Sequence, residues 1–464
     1  MPVNSFENYP MAWKPQRSEL ERPYYRSLAA CLERDIRSGL LAENTQLPPQ
    51  RELADFLDLN LSTVMRAYKL CMLKGLLYAV TGRGTFVAPG ISAQDTFLAQ
   101  SRPVIEMGMI RPFYACNQSI LHAAAQVMNR PGSARLLEYS DPLGTARQRA
   151  AAQMWLHGLG VDVGRENLLL AAGAQNALSI VLIALFGAGD KIAVDEYTYT
   201  NFKGLANFLH IQLVAVETDA FGMRPDALLQ ACKQTGVRGL YLMPTCANPT
   251  GIFLPEQRRR QLAGLARRFG LLVIEDDIYS FLAPQGTPSL FALLPEQTVH
   301  ICSLSKSLCA GLRVAFLAFP PQYREALVAG LLNINLKTVS LNAEIAAGLI
   351  ESGAAGQIVQ QKIALAQGRN RVVRSVFAEG PQDEIARFFY WLPLPAGQTS
   401  EEMELRALQK GVHVLGSHRF AVQGGQSRAY LRVAIASPDT EEELKRGLVL
   451  LKSCLEDGAE QVLV

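Results

Sequence analysis

The chain has 464 residues, of which 49% are hydrophobic, and its formal net charge is +3. This length exceeds the usual size of one domain, so two or three domains are expected. The longest apolar run, Ala177 to Phe186, has about half the length of a membrane span, and no secretory signal pattern is visible, so we expect a cytoplasmic protein without membrane contact. Eight scattered cysteines without a C-x-x-C pair, and only six histidines, argue against metal sites and disulfide frameworks.

Residues 24 to 88 have the pattern of three helices followed by a hairpin. The helical stretches are YYRSLAACLERDIRSGL, LPPQRELADFLDL and NLSTVMRAYKLCMLKGLL. The third helix has two candidate N-cap residues, Asn60 and Ser62. The following LLYAVTGRGTFVA shows two short β-rich runs around a glycine-containing turn. This order predicts a mostly α-helical, winged helix-turn-helix domain.

A basic stretch without acidic residues extends from Asn60 to Gly90. It contains two arginines and two lysines, Arg66, Lys69, Lys74 and Arg83. Such a stretch in a nearly neutral protein indicates contact with a polyanion. The alternative is a surface-charged dimerisation module whose arginines are only solvated.

The segment LPPQRELADFLDLNLSTVMRAYKLCMLKGLL, with TGRGTFV after it, resembles the DNA-binding domain of GntR-type bacterial regulators. The resemblance implies a double-stranded DNA operator as the partner. Residues at the start of the second helix of a helix-turn-helix face base edges, which here are Ser62, Thr63 and Arg66. Arg51 and the wing residue Arg83 are expected to contact phosphates.

A linker from Gly90 to Pro103 is expected to separate this domain, residues 1–89, from a second domain, residues 104–464. In the second domain apolar, strand-like runs such as KIAVDE, GLYLMP and LLVIEDD are each followed by a loop or helix. This alternation predicts an α/β fold with a large, mostly parallel sheet covered on both faces. We expect a smaller C-terminal α+β part after it.

Polar residues follow the predicted strands, where α/β proteins place their chemistry. The turn Gly173-Ala174-Gln175 opens a helix and is suited to an anion. The stretch Asn248 to Gly251 has the composition of a turn. Asp276 and Tyr279 end another strand, either as functional groups or as a buried hydrogen-bonded pair.

A lysine between two serines stands at the end of a further strand, in SLSKSLCAGLR. These residues are Ser303, Ser305 and Lys306, and Arg313 follows seven positions after the lysine. Near the C-terminus, Arg432 lies within the otherwise apolar YLRVAIAS, where an arginine needs an anionic partner. The combination indicates a site for a ligand that carries negative charge.

The motifs G-A-Q, N-P-T-G, D-D-I-Y, S-x-S-K and a late strand arginine, in this order, resemble fold-type I pyridoxal-phosphate aminotransferases between residues 105 and 455. EYSDPLGTARQRAAAQMWLHGLGV adds a segment that is similar to one in that family. The resemblance implies pyridoxal 5'-phosphate as cofactor, held by Lys306 as an aldimine. It further implies that Asp276 binds the pyridine nitrogen and that Arg432 binds the α-carboxylate of a substrate.

The other cofactor contacts are also implied by this resemblance. Asn248 and Tyr279 would bind the phenolic oxygen, and Tyr199 would cover the ring, although Tyr197 competes for that position. The phosphate would be held by Ala174, Gln175, Ser303, Ser305 and Arg313 from one subunit and by Tyr139 from its neighbour, which implies a homodimer. Ala310 stands where many relatives have a proline.

A GntR-type domain joined to an aminotransferase-like domain is the organisation of MocR-type regulators. The resemblance implies a transcriptional regulator that binds pyridoxal phosphate and senses the cofactor, an amino acid or an amine. A working aminotransferase with an accessory DNA-binding domain is the alternative, and a DNA-binding protein with an inactive body is a third. The basic run Arg258-Arg259-Arg260, with Arg267 and Arg268, indicates a solvated helix face rather than a second DNA contact.

Overall fold

The structure, a computed structural model, describes residues 11–38, 40–42, 44–73, 76–80, 83–88, 104–377, 385–422 and 428–460. Internal contacts divide the chain into two units, Met1–Pro103 and Val104–Val464, which we call the head and the body. The predicted linker, residues 90–103, lies outside the described residues. The exact domain limits therefore stay a prediction.

In the part of the head that the structure describes, the main elements are three α-helices and a two-stranded hairpin. They are α1 (Tyr24–Arg37), α2 (Gln50–Leu57), α3 (Leu61–Leu73), β1 (Leu77–Val80) and β2 (Gly84–Val87). Asn60 is the residue that caps α3, because its Oδ1 accepts a hydrogen bond from the backbone N–H of Ser62 at 2.9 Å. This contact decides between the two candidate caps.

The head has its own hydrophobic core, to which all three helices contribute. On α3 the buried residues recur at intervals of three and four, as a helix with one apolar face requires: Val64, Ala67, Tyr68 and Cys71. The Tyr68 hydroxyl donates to the carbonyl of Pro48 at 3.0 Å and so ties α3 to the segment before α2. The strands β1 and β2 are antiparallel, from the pair Leu77 and Val87 to the pair Val80 and Gly84. The predicted winged helix-turn-helix is confirmed.

The body is built on a seven-stranded sheet in the order β4-β12-β11-β10-β9-β5-β6. Its strands are β4 (Leu168–Ala171), β5 (Lys191–Asp195), β6 (Gln212–Val216), β9 (Gly239–Leu242), β10 (Leu272–Asp276), β11 (Thr298–Ser303) and β12 (Ala315–Ala318). Only β12 runs antiparallel to its neighbours, β11 and β4. The predicted large, mostly parallel sheet is confirmed.

Helices cover both faces of this sheet. They are α4 (Asn117–Met128), α5 (Ala146–Gly158), α6 (Ala174–Leu185), α7 (Thr200–Phe208), α8 (Pro225–Thr235), α9 (Glu256–Phe269), α10 (Leu290–Leu293), α11 (Leu304–Ser307), α12 (Arg324–Ile334) and α13 (Ser340–Glu351). Successive residues of β10 belong to different cores, since Ile274 packs into one cluster and Val273 into another. Burial on both faces explains why the strands are apolar throughout.

The C-terminal part is a smaller α+β layer. It contains α14 (Ala354–Val376), α15 (Ser400–Gln409), α16 (Glu441–Glu460), and the strands β13 (Tyr390–Pro393), β14 (Val412–His413), β15 (Leu415–Gly416) and β16 (Tyr430–Val433). β16 lies between β13 and β15, antiparallel to both. β14 pairs with β3 (Ile105–Glu106) from the start of the body, and β7 (Thr218–Asp219) and β8 (Gly222–Met223) form a separate hairpin. This part is also as predicted.

The arginine-rich helix α9 matches only in part the solvated face that its sequence indicates. Arg259 is buried, and its guanidinium donates to the carbonyls of Leu254 at 2.9 Å and Pro244 at 3.0 Å. Its neighbours Arg258 and Arg260 form ion pairs with acidic residues of the body. Arg259 therefore serves internal contacts, whereas Arg260, Arg267 and Arg268 are exposed, as the sequence indicates. Separately, none of the described helices has the length and apolar character to cross a membrane.

Candidate functional site

The predicted site residues meet at one edge of the large sheet. Six of its strands run parallel, so their carboxyl ends share an edge, and the antiparallel β12 begins there. Gly173 follows β4, Tyr199 follows β5, Asp276 ends β10, and Lys306 lies in the short helix after β11. Arg313 precedes β12 and so lies at the same edge. Topology alone thus gathers residues that are up to 140 positions apart in the chain.

Lys306 presents an amine whose protonated form is disfavoured. The side chain of Ser303 caps its helix by accepting from the backbone N–H of Ser305, which fixes the turn. The Lys306 Nζ donates to the carbonyl of Ile110 at 2.6 Å. Burial, and then the charges of Arg432 and other nearby cations, lower the pKa of Lys306 to about 7. A substantial fraction of this amine is therefore neutral, and nucleophilic, near pH 7.

Asp276 is buried, and one of its two carboxyl oxygens accepts a hydrogen bond. Its Oδ2 accepts from the hydroxyl of Tyr241 at 2.8 Å, while Oδ1 has no hydrogen-bond partner among the described residues. Burial, reinforced by the charge of Asp277, raises the pKa of Asp276 to about 7. A cationic partner would favour the carboxylate form. Of the two alternatives for Asp276 and Tyr279, a mutual hydrogen bond is not formed, because the Tyr279 hydroxyl is also buried without a partner among the described residues.

Arg432 reaches from β16 of the C-terminal part towards the same edge. Its guanidinium donates to Asn248 Oδ1 at 2.8 Å and to the carbonyl of Gly108, and it lies over the Phe420 ring at 4.9 Å. Its Nε is buried and has no partner among the described residues. Burial lowers the pKa of Arg432 to about 10, so the group stays charged at neutral pH. Its hydrogen-bond partners are neutral, as expected of a group that receives an external anion.

The residues expected to hold a phosphate surround the N-terminus of α6. Gly173 has a left-handed backbone (φ +87°), and a Cβ placed there would lie 2.5 Å from Arg313 Nη2. Arg313 donates to the hydroxyl of Ser305 at 3.3 Å, and Ser305 lies 3.2 Å from the Ser303 hydroxyl. Ala174 and Gln175 form the first turn of α6, whose free N–H groups favour an anion, and Gln175 Oε1 is buried without a partner among the described residues.

Comparisons with known proteins agree with this geometry. The family "Aminotransferase class I and II" matches residues 106–449, and the family "Bacterial regulatory proteins, gntR family" matches residues 24–87. The HTH-type transcriptional regulator YdeF of Bacillus subtilis is 38% identical over 98% of this chain and 100% of its own length. The chain belongs to the MocR-type regulators of the GntR family. It combines DNA-binding, regulatory and aminotransferase-like parts.

Other relatives share only the body of this MocR-type chain. The 2-aminoadipate transaminase of Thermus thermophilus is 28% identical over 72% of this chain and 85% of its own length. The structure of LysN, an α-aminoadipate aminotransferase of the same organism complexed with N-(5'-phosphopyridoxyl)-L-leucine, has a TM-score of 0.70 at 26% identity, covering 78% of this chain and 94% of that one. The kynurenine aminotransferase of Pyrococcus horikoshii, at 22% identity and a TM-score of 0.71 over 79% and 94% of the two chains, shows the shared fold. The aminotransferase class I and II family implies pyridoxal phosphate as the cofactor.

The structure separates the two tyrosines that competed for one position in the MocR-type body. The Tyr197 hydroxyl donates to the carbonyl of Arg428 at 3.0 Å, and its ring packs edge-on against Trp391 and Tyr430. Tyr199 instead precedes α7, and burial, followed by the charge of Asp276, raises its pKa. Tyr199 is thus the one that lies near Asp276. Its role at the site remains a prediction.

Tyr139 does not join the Lys306 site within one chain. Its side chain is 89% exposed, and no hydrogen bond or ring contact links it to the other predicted residues in the described part of the chain. A residue that completes the site of a neighbouring subunit is expected to be exposed in a single chain. The placement therefore accords with the predicted role without testing it.

On the head, the predicted DNA contacts lie on exposed positions. In the first two turns of α3, Ser62 and Arg66 are exposed and Thr63 is half-buried. Arg51 is the second residue of α2 and Arg83 directly precedes β2, and both are exposed. This surface also contains Met65, whose side chain is 51% exposed. As an apolar residue, Met65 is not among the predicted DNA contacts, which are charged or hydroxyl-bearing.

Sequence reasoning missed several residues of this MocR-type body. Tyr241 donates to Asp276, and Lys362 donates to the backbone of the Lys306 turn. Tyr241 belongs to an apolar strand and Lys362 to a helix, and neither stretch carries a motif. Glu275 and Asp277, which flank Asp276 in the chain, form a buried cluster with His300 of the neighbouring strand β11. The available signal was the run of three acidic residues, E-D-D, at the end of an apolar strand.

Two members of this cluster form a buried ion pair. Glu275 accepts from His300 Nδ1 at 2.9 Å. Burial opposes the charge on both groups, but their mutual attraction outweighs it, so the pKa of Glu275 is lowered and the pKa of His300 is raised to about 10. The pair therefore stays charged at neutral pH directly behind Asp276.

Proposed function

We propose that this regulator binds pyridoxal 5'-phosphate through Lys306 and changes its binding to a DNA operator when an amino acid or amine occupies the same site. The observation that carries the proposal is the half-buried Lys306 amine with its lowered pKa. At the same sheet edge, buried polar atoms of Asp276, Tyr279 and Gln175 lack partners among the described residues. Unpaired buried polar groups are costly, so a polar ligand that pairs with them would be strongly favoured.

The residues present fit this cofactor. Asp276 Oδ1 is suited to the ring nitrogen, the Tyr279 hydroxyl and the Asn248 amide to the phenolic oxygen, and Tyr199 to the ring face. Arg313, the serine hydroxyls and the first turn of α6 suit the phosphate. When bound, the cofactor supplies an electron sink for charge at the α-carbon of an amino ligand. The Lys306 amine supplies the nucleophile that holds it and, once released, a base within the same site.

Arg432 supports an amino acid as the ligand class. Its guanidinium is buried, charged and paired with an amide and a backbone carbonyl, and its planar fork matches a carboxylate. A carboxylate that binds there would compete with Asn248 and the carbonyl of Gly108. A ligand can shift a regulator between two conformations only if the contacts at its site differ between them. Competition for Arg432 would provide such a difference.

Under this proposal the head binds DNA, and its binding changes when the body binds a ligand. DNA binding belongs to the GntR family, and we place base contacts at Ser62, Thr63 and Arg66 and phosphate contacts at Arg51 and Arg83. Because its partner is chromosomal DNA, we place the protein in the cytoplasm. The body is proposed to form a homodimer in which Tyr139 reaches the neighbouring site, so that two heads bind paired half-sites.

The cofactor part is tested by borohydride reduction of protein saturated with pyridoxal phosphate. We expect the reduced cofactor on the peptide that contains Lys306, and we expect Lys306→Ala to remove this modification. Lys337→Ala provides a control, because Lys337 is another lysine of the body and donates to the hydroxyls of Ser140 and Ser340. An unmodified Lys306 peptide from saturated protein would contradict the assignment.

A working aminotransferase is the second candidate, favoured by the joint presence of Lys306, Asp276 and Arg432 at one sheet edge and by the similarity to a transaminase. If the body is mainly a sensor, amino ligands change operator affinity while turnover with keto acids stays very slow. Arg432→Ala should then abolish the ligand effect and leave ligand-free DNA binding intact. Sustained turnover, together with operator affinity that no amine, amino acid or pyridoxal phosphate alters, would favour the enzyme.

A further inference from the structure

A second lysine lies behind the turn that contains Lys306. Lys362, on α14, has a fully buried side chain at 0% exposure. Its Nζ donates to the carbonyl of Lys306 at 3.1 Å and to the carbonyl of Leu308 at 2.6 Å. These are carbonyls at the end of the short helix α11, where a cation is electrostatically favoured.

Burial of this ammonium group is unusual because no carboxylate of the described residues pairs with it. The ionisable groups that face it, besides Lys306, are the thiols of Cys116 and Cys309. Burial lowers the pKa of Lys362 to about 8, so the group is still largely protonated at pH 7. A charge retained under these conditions acts on its neighbours with little screening by solvent.

The charge of Lys362 affects Lys306 in a different way from the charges of Arg432 and Arg313. Lys306 is faced by cations from three elements: Arg432 on β16, Arg313 before β12 and Lys362 on α14. Under the proposed function, a carboxylate and a phosphate neutralise the arginines when ligands bind. Lys362 is bonded to backbone carbonyls behind the turn, so its charge remains unpaired when both anions are present.

We propose that Lys362 is a positioning residue for Lys306: it holds the Lys306 turn by two carbonyl groups and keeps a positive charge behind the reactive amine at neutral pH. This inference rests on the proposed function only in taking Lys306 as the reactive group. A buried lysine that merely capped a helix would be replaceable by any neutral donor. The charge itself is therefore the property to test.

The test measures the protonation of Lys306 in the cofactor-free, full-length protein. Short pulses of acetic anhydride at a series of pH values around neutrality, followed by peptide mass spectrometry, give the pH midpoint of Lys306 acetylation. We expect a wild-type midpoint of about 7. In Lys362→Gln, which retains a donor without the charge, and in Lys362→Met, the midpoint should change towards a higher pH by about one unit, and acetylation just above neutrality should fall about threefold.

The positive charge of Lys362 disfavours the protonated amine of Lys306. Removing the charge of Lys362 therefore stabilises the ammonium form of Lys306 and raises its pKa. A higher pKa leaves less neutral amine to react at a given pH. The acetylation midpoint accordingly moves to higher pH in the neutral variants.

Two further variants complete the comparison. Lys362→Arg keeps the charge and should keep the wild-type midpoint. Lys203→Met is the matched control, because Lys203 is a half-buried lysine that likewise donates to backbone carbonyls, those of Arg419 and Ala421, away from Lys306. The melting temperature of each variant shows whether it is folded. If Lys362→Met does not fold, Lys362→Gln alone provides the test.

Inorganic phosphate provides a second measurement. If Lys362 acts after anions are bound, the difference in midpoint between wild type and Lys362→Gln persists in saturating phosphate. A wild-type midpoint in Lys362→Gln, or a difference that disappears in phosphate, would overturn the inference. Because acetylation is followed without pyridoxal phosphate, failure of the cofactor to bind Lys306 would be seen separately and leaves this result standing.

Discussion

Gly173 shows how a single residue shapes the anion site. Its backbone is left-handed (φ +87°), and a Cβ would collide with the Arg313 guanidinium. We predict that Gly173→Ala lowers the affinity for pyridoxal phosphate at least about tenfold, because the arginine must move, as measured by absorbance titration. Gly189→Ala is the control, since Gly189 has the same φ but no described atom within 4 Å of the point where a Cβ would lie. Equal affinities in the two variants would contradict the placement of the anion.

Asp276 links the charge of the site to the stability of the body. In an unfolded chain an aspartate titrates at about pH 3.9, whereas burial raises the pKa of Asp276 to about 7. The carboxylate is thus penalised only in the folded protein, and the penalty grows as pH rises from about 4 to about 7. We predict that Asp276→Asn stabilises the cofactor-free body, and that this stabilisation is larger above pH 7 than near pH 4 by up to about 4 kcal/mol, since the two pKa values differ by about three units.

Thermal unfolding of the cofactor-free protein at several pH values checks this prediction. Asp141→Asn is the control with the opposite sign: partial burial alone would raise the pKa of Asp141, but hydrogen bonds from Arg149 and a backbone N–H outweigh it and hold the pKa below its usual value. Because Asp141 finishes titrating at acidic pH, its difference from wild type should be constant near neutrality. A constant difference for Asp276→Asn as well would mean that its carboxyl is not buried in solution.

At the scale of elements, α3 has one face in the core of the head and an exposed face on which we place the DNA contacts. Val64, Ala67 and Tyr68 are buried, which leaves Ser62 and Arg66 on the outer side. We predict that Arg66→Ala weakens binding to a selected operator by about 1–3 kcal/mol if Arg66 contacts a base. Arg83→Ala should weaken binding to all sequences alike and reduce the salt dependence by about one counterion.

Fluorescence anisotropy at several salt concentrations distinguishes these two roles. Arg26→Ala serves as the control, because Arg26 is an exposed arginine on α1 that contacts Tyr25. It should retain wild-type affinity within about twofold. Unchanged operator affinity in Arg66→Ala would show that the recognition surface lies elsewhere on the head.

At the scale of the whole molecule, we expect Tyr139 to connect the site to subunit assembly. We predict a homodimer in sedimentation at micromolar concentration and a loss of cofactor affinity in Tyr139→Phe, because the partner subunit then lacks a phosphate contact. Mixed dimers of Tyr139→Phe and Lys306→Ala should recover one wild-type site, since one protomer supplies Lys306 and the other supplies Tyr139. A monomer with cofactor bound, or mixtures without recovery, would refute the shared site.

The sequence by itself determined the two-part organisation, the order of elements and the residue types of the site. Hydrophobic periodicity records which face of each helix or strand is buried, and short motifs such as S-x-S-K and G-A-Q are local in the chain. For the same reason the positions of Lys306, Asp276 and Arg313 at strand ends were predictable. The choice of Asn60 as cap, by contrast, needed the observed hydrogen bond.

Only the tertiary structure decided which groups contact one another. Arg259 lies in a run that has the composition of a solvated face, yet it is buried because the backbone carbonyls of Pro244 and Leu254 converge there from the preceding loop. Lys362 lies 56 positions from Lys306 and carries no motif, and its contacts arise because α14 packs behind the turn. Hydrophobic periodicity shows which face of its own helix or strand a residue lies on. Its hydrogen-bond partners and its pKa depend on the groups that other elements place beside it.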